Sequence, residues 1–171
     1  ENIDGEEKLG QPMFQYAMLE DWGNLRFFYL PYFRERTFVG RTGRLGFGTV
    51  NINTDNAIYA NDQEEFYPSF ATRYNHFLGN WDFGVAHFHG TSREPSFKSQ
   101  NNELVPFYEI IDQTSLDVQY TIDAWLLKLE AIHRIGQGRD FAAVTSGFEY
   151  SFYGIFGSTA DLGVLYELNF D

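Results

Sequence analysis

The sequence predicts an all-β chain: an antiparallel up-and-down meander of about eight strands, forming a transmembrane β-barrel or an excised part of a larger one. Three observations predict it. Apolar and polar residues alternate with period two along segment after segment, as strands with two unlike faces require. The links between these segments are short and long by turns, which sorts them to opposite ends. Finally, 19% of the 171 residues are aromatic, from 18 Phe, 11 Tyr and 3 Trp, and aromatics favour strands and collect where membrane meets water.

Taken in order, a first strand over 12–20, PMFQYAMLE, ends at the turn DWG. A second, 24–35, sets Leu25, Phe27, Tyr29, Pro31 and Phe33 against Arg26 and Arg34, and Pro31 marks a bulge or an unpaired donor position. A long polar loop, 36–64, follows. The third strand, 66–77, turns through LGN into the fourth, 81–90, and a second long loop covers 91–103. The fifth strand, 105–122, and the sixth, 124–134, make a tight hairpin around Asp123, with Leu116, Val118, Tyr120 and Ile122 alternating with Ser115, Asp117, Gln119 and Thr121. IGQGRD leads to the seventh strand, 140–153, and GIFGSTA to the eighth, 161–170.

Alternation alone does not say whether the greasy face meets lipid or a protein core, because a soluble up-and-down barrel shows the mirror image. Three features favour lipid. The polar face mixes charges with small groups such as Gly147, Gly163, Ser115 and Ser151, as a wet lumen accepts. Aromatics sit near strand ends, at Trp22, Tyr32, Phe33, Tyr67, Trp81, Trp125, Phe152, Tyr153 and Phe170, as an interfacial girdle requires. And eight strands of inward Phe, Tyr, Leu and Trp would overfill a small barrel.

The length fits one domain across 1–171. A net charge of -12 argues against nucleic acid as a partner, since so acidic a chain repels phosphate. The chain has no cysteine, so it offers neither a thiolate metal site nor a thiol nucleophile. It contains no apolar run long enough for a transmembrane helix; its negative mean hydropathy still suits a barrel, where only alternate strand residues are apolar. The start, ENIDGEEKLG, is neither an initiator Met nor a signal peptide. With the long loops outside, the eighth strand would also end outside, whereas bacterial barrels keep both termini in the periplasm. This parity leads to the expectation of an excised eight-strand portion with at least one strand missing at each end.

The segments FHGTSREP (88–95), DAWLLKLEAIHR (123–134) and FGSTADLGVLYE (156–167) resemble those of uncharacterised outer-membrane, porin-like β-barrel proteins of Gram-negative bacteria, most clearly over 66–171. The resemblance implies a fold and a place, the bacterial outer membrane, and no reaction.

The candidate lumen-lining residues are Arg26, Arg34, Arg73, Asp117, Gln119, Lys128, Glu130, Glu149 and Glu167. Asp117, Lys128, Glu130, Glu149 and Glu167 would share one face of four consecutive strands and could build a charged ladder. His87 and His89, two apart on one strand, are weak metal candidates without a third ligand, and the plainer reading puts them at headgroup level. A hydrolase would need a Ser–His pair with an orienting residue; Ser69, Asn75 and His76 are present, but Asn75 and His76 point to opposite faces, and no GxSxG occurs. RTGRLGFG (41–48) lacks the Lys-Ser/Thr ending of a phosphate loop; Arg41 and Arg44 would narrow the lumen or meet lipopolysaccharide phosphates. TSREP (91–95) reads as a turn shaped by Pro95.

The sequence therefore favours a passive, porin-like channel or envelope barrel with no enzymatic activity, no cofactor and no catalytic residue. Its partners would be the lipid bilayer, lipopolysaccharide, and small polar solutes or ions; nothing in it specifies an oligomeric state. A soluble lipocalin-like barrel carrying a hydrophobic ligand is the alternative, and an outer-membrane hydrolase comes third.

Overall fold

The structure, a computed structural model, describes residues 10–38 and 52–171. Its strands in chain order are β1 (Phe14–Glu20), β2 (Gly23–Leu30), β3 (Ile58–Tyr59), β4 (Ser69–Leu78), β5 (Trp81–Thr91), β6 (Ser96–Gln100), β7 (Glu103–Tyr108), β8 (Ile110–Ile122), β9 (Trp125–Ile135), β10 (Phe141–Phe152) and β11 (Leu162–Phe170). Eight of them form one sheet in the order β1-β2-β4-β5-β8-β9-β10-β11, and β3-β7-β6 form a second, small one. Single turns of 3-10 helix lie at Glu64–Phe66 and Ile155–Gly157. Among the described residues no helix is long and apolar enough to cross a membrane.

The large sheet is an antiparallel meander, and its register runs unbroken through all seven strand pairs. Because side chains alternate strictly, an unbroken register keeps each face of one strand continuous with the same face of the next. The sheet is not closed: among the described residues β1 and β11 each pair on one side only.

The links sort by end. Residues 21–22, 79–80, 123–124 and 153–161 join strands at one end; 31–68, 92–109 and 136–140 join them at the other. The tight turns use backbone that glycine or a short polar residue tolerates, with Gly79 at φ 60° and Asp123 at φ 50°.

Three boundaries differ from the sequence expectation. Strand β2 stops at Leu30 rather than 35, because Pro31 has no N–H to continue the ladder. The expected strand 105–122 is two strands in two sheets. Its alternation runs through 109, but β5 reaches only Ile110, which pairs with Thr91, and the chain before it pairs with β3 and β6. The expected loop 91–103 contains a hairpin: Asn101 and Asn102 both have positive φ, at 49° and 65°, the geometry of a two-residue turn between twisted strands.

The buried core lies at the long-link end, not between two layers of the large sheet. Leu30, Phe33, Val105, Tyr108 and Ile111 are buried there. Phe33 packs edge-on to Tyr108 with ring centroids 4.9 Å apart, and Tyr59 closes the trio at 5.4 Å from Tyr108. Phe33 is therefore core, not girdle. Tyr59 Oη donates to Glu35 Oε1 at 2.5 Å, and the Arg36 amide donates to Tyr108 Oη at 3.0 Å. Burial, followed by the Glu35 carboxylate, pushes the Tyr59 phenol well above its usual range. Burial also raises Tyr108.

Candidate functional site

The two faces of the large sheet are chemically opposite. Residues directly across an antiparallel pair point to the same side, so the register assigns each face. One side collects Arg26, Arg73, Asp82, Asp117, Gln119, Lys128, Glu130, Glu149 and Glu167. It also carries small residues, Gly84, Ala86, Ser115, Gly147 and Gly163, and toward the short-turn end Leu19, Phe77, Leu126 and Leu165. Of the nine candidate lumen residues, eight share this face. Arg34 does not: β2 has ended before it, and its Nη1 donates to the Gly10 carbonyl at 3.2 Å.

The expected ladder of five charges does not form. Asp117 stands opposite Glu130, Lys128 between Gln119 and Gly147, and Glu149 between Leu126 and Leu165. Asp117 pairs instead in the other direction. Its carboxylate takes both ends of the Arg73 guanidinium, at 2.9 and 3.0 Å, from two strands away. Gly84 on the intervening strand makes this possible: a Cβ there would stand 2.5 Å from Arg73 Nη2 and 2.6 Å from Asp117 Oδ2. Asp82, Asp117, Gln119, Lys128 and Glu130 border a recess of about 540 Å³.

The other face is apolar and uncovered. Phe27, Tyr29, Phe70, Val85, Leu127, Leu129, Val144, Val164, Tyr166 and Leu168 are all exposed on it. Toward the short turns it becomes an aromatic row: Trp22 stacks on Tyr74 at 6.1 Å, and tilted pairs join Trp81 to Tyr120 at 4.5 Å and Trp125 to Tyr150 at 4.6 Å. Toward the long links a polar row crosses it, with Thr72, His87, Thr114 and His133 in register.

His87 and His89 do share a face, and the strand beside them holds both. His89 Nδ1 is 2.9 Å from Asp112 Oδ1 and its Nε2 is 3.1 Å from Tyr67 Oη; His87 Nδ1 is 2.9 Å from Thr114 Oγ1. Both ring nitrogens of His89 are thus engaged, and no group of three metal-ligating side chains assembles among the described residues. Asp112 and Thr114 were not singled out in the sequence, although they continue the alternation of β8. The hydrolase candidates do not converge. Ser69 is buried and accepts from the Thr91 amide at 3.3 Å, while Asn75 and His76 lie on opposite faces. Arg41 and Arg44 lie outside the described residues.

Fold and faces together define a class, a β-meander protein whose single large sheet is polar on one side and apolar on the other. No protein-family model, curated protein or solved structure matches the chain.

Proposed function

We propose that the eight strands are part of the wall of an outer-membrane β-barrel of porin-like type, with the apolar face against lipid and the polar face lining a water-filled passage for small polar solutes or ions. The observation that carries this reading is the sorting of the faces. Monomeric soluble proteins rarely leave a continuous apolar patch of more than a few hundred Å² bare, yet here the bare apolar face runs across the whole sheet. A buried, dry interior would also suit the opposite face poorly, since Lys128, Glu130 and Glu149 lie on it with no ion pair among the described residues; a wet lumen accepts them at little cost.

Two further features agree. The aromatic row at the short turns has the composition of an interfacial girdle, and three two-residue turns at one end against two long links, 31–68 and 92–109, at the other follow the outer-membrane pattern. Hydrocarbon tolerates no unpaired strand edge, so in a bilayer β1 and β11 must pair, with each other or with further strands.

The test is reconstitution of the full-length protein in planar bilayers, where discrete conductance steps are expected. A protein that stays monomeric in detergent-free buffer and takes a hydrophobic dye inside would overturn the membrane reading. A folded, inserted but silent barrel would remove the passage and leave the wall.

A further inference from the structure

We infer that residues 91–95 form a strap across the polar face at the long-link end, and that this strap limits which solutes reach the recess beneath it. The inference rests on the reading of that face as a lumen.

The strap is anchored on both sides. Arg93 Nη2 donates to Gln11 Oε1 at 2.5 Å, and Gln11 Nε2 donates to the Tyr32 carbonyl at 2.6 Å, which ties the strap to the chain before β1 and after β2. On the far side Gln137 Nε2 donates to the Glu94 carbonyl at 2.5 Å, and Ser92 Oγ lies 3.1 Å from Gln137 Oε1. The Arg134 guanidinium stands 3.9 Å from the Glu94 carboxylate while its Nε donates to Gln113 at 2.8 Å.

These anchors are far apart along the sheet. Gln11 precedes β1 and Gln137 follows β9, five strands away in the sheet order, which is about 24 Å in a flat sheet at ~4.8 Å per strand. Consecutive residues, whose Cα atoms are only ~3.8 Å apart, nevertheless hold both. The Arg93, Gln11 and Gln137 side chains supply the rest of the span, so the strap crosses several strands. The floor beneath the strap identifies the side: Phe28, Ala71, Phe88 and Gln113, all on the polar face, line a recess of about 420 Å³ with Arg93 and Glu94 above it. The strap lies on the polar side.

The chain is built to enter there. Gly90 has φ 155°, and a Cβ on it would fall onto the Ser69 side chain. Thr91 and Ser92 are each 1% exposed, so the root of the strap is fixed, while Arg93 and Glu94 remain exposed. A fixed root with a charged, solvated tip is what a size- and charge-limiting constriction needs.

The chain has no cysteine, so one introduced thiol reports without background. Ala71→Cys puts it under the strap and Ser99→Cys puts it on the exposed hairpin. In the reconstituted full chain, a charged water-soluble methanethiosulfonate should modify the first at least tenfold more slowly than the second. Combining Ala71→Cys with Arg93→Ala, Glu94→Ala and Gln137→Ala should raise its rate about tenfold. Arg93→Ala alone, a surface change that removes one anchor, should raise it in part if the triple variant does not fold. Equal rates at the two thiols, or no acceleration on release, overturn the strap. If bilayers are silent and the thiol still responds, the strap stands and the channel falls; conducting bilayers with an unresponsive thiol give the reverse.

Discussion

Arg73 and Asp117 are two strands apart and still form a two-pronged ion pair, because Gly84 between them has no side chain to intervene. The pair also relieves two like-charge neighbours, since Arg73 stands opposite Arg26 and Asp117 opposite Glu130. Their side chains are 36% and 40% exposed, so solvent screens the pair and its worth is about 0.5–1 kcal/mol. Gly84→Val should remove that contribution. In a double-mutant cycle followed by urea unfolding, the coupling between Arg73 and Asp117 should be measurable with Gly84 in place and vanish in the Gly84→Val background.

Gly23 offers a second glycine test with a different cause. Its φ is 132°, and a Cβ would stand 2.5 Å from the Tyr74 ring, whose hydroxyl donates to the Trp22 carbonyl at 2.6 Å. The ring thus covers the glycine in the adjacent strand, which ties the β1–β2 turn to β4. Gly23→Ala should destabilise by about 1–3 kcal/mol from backbone strain and the displaced ring. Tyr74→Phe, which loses only the hydrogen bond, should cost about 1 kcal/mol. Thermal unfolding in detergent separates the two.

How far these relationships could be read in the sequence depends on their range. The eight strands and their faces were legible because period-two alternation is local and survives in each strand separately. Register then aligned eight of the nine candidates without any further signal. Arg34 falls outside the shared face because alternation continues past Pro31, where hydrogen bonding does not. Phe33 looked like one more aromatic at a strand end, and only the fold of the second sheet shows that it is core. That sheet was hidden because β3 is two residues long and β7 runs on into β8 in one unbroken pattern; the Asn101-Asn102 pair was the available clue. The partners of Arg93 and Glu94 lie more than forty residues away in the chain, and no local pattern encodes them.

The tyrosine cluster at the long-link end should be visible in alkaline titration. Tyr59 and Tyr108 both have phenols raised above the ordinary value of 10.0, so the folded state holds their protons where the unfolded state has released them. Their contribution to stability is full below pH 10 and is lost as pH rises through the folded-state values. Followed by phenolate absorbance, these two phenols should resist ionisation until the long-link end unfolds. Tyr59→Phe should remove one lagging phenol and weaken the pH dependence. Ionisation of Tyr59 and Tyr108 at the ordinary phenol value in the folded protein would contradict the burial.

The lipid assignment has its own stability test, independent of any passage. Leu129 lies mid-strand on the apolar face between Val118 and Ser146, 38% exposed. Facing hydrocarbon, Leu129→Arg should cost about 2–4 kcal/mol near the bilayer midplane and much less near an interface. Gln119, one strand over on the opposite face, sits between Asp82 and Lys128. Facing water, Gln119→Arg should change stability by less than about 0.5 kcal/mol. Reversible guanidinium unfolding from lipid vesicles measures both. An exposed leucine facing water would tolerate the arginine as easily as Gln119 does, so equal and small effects would mean that the apolar face does not meet lipid.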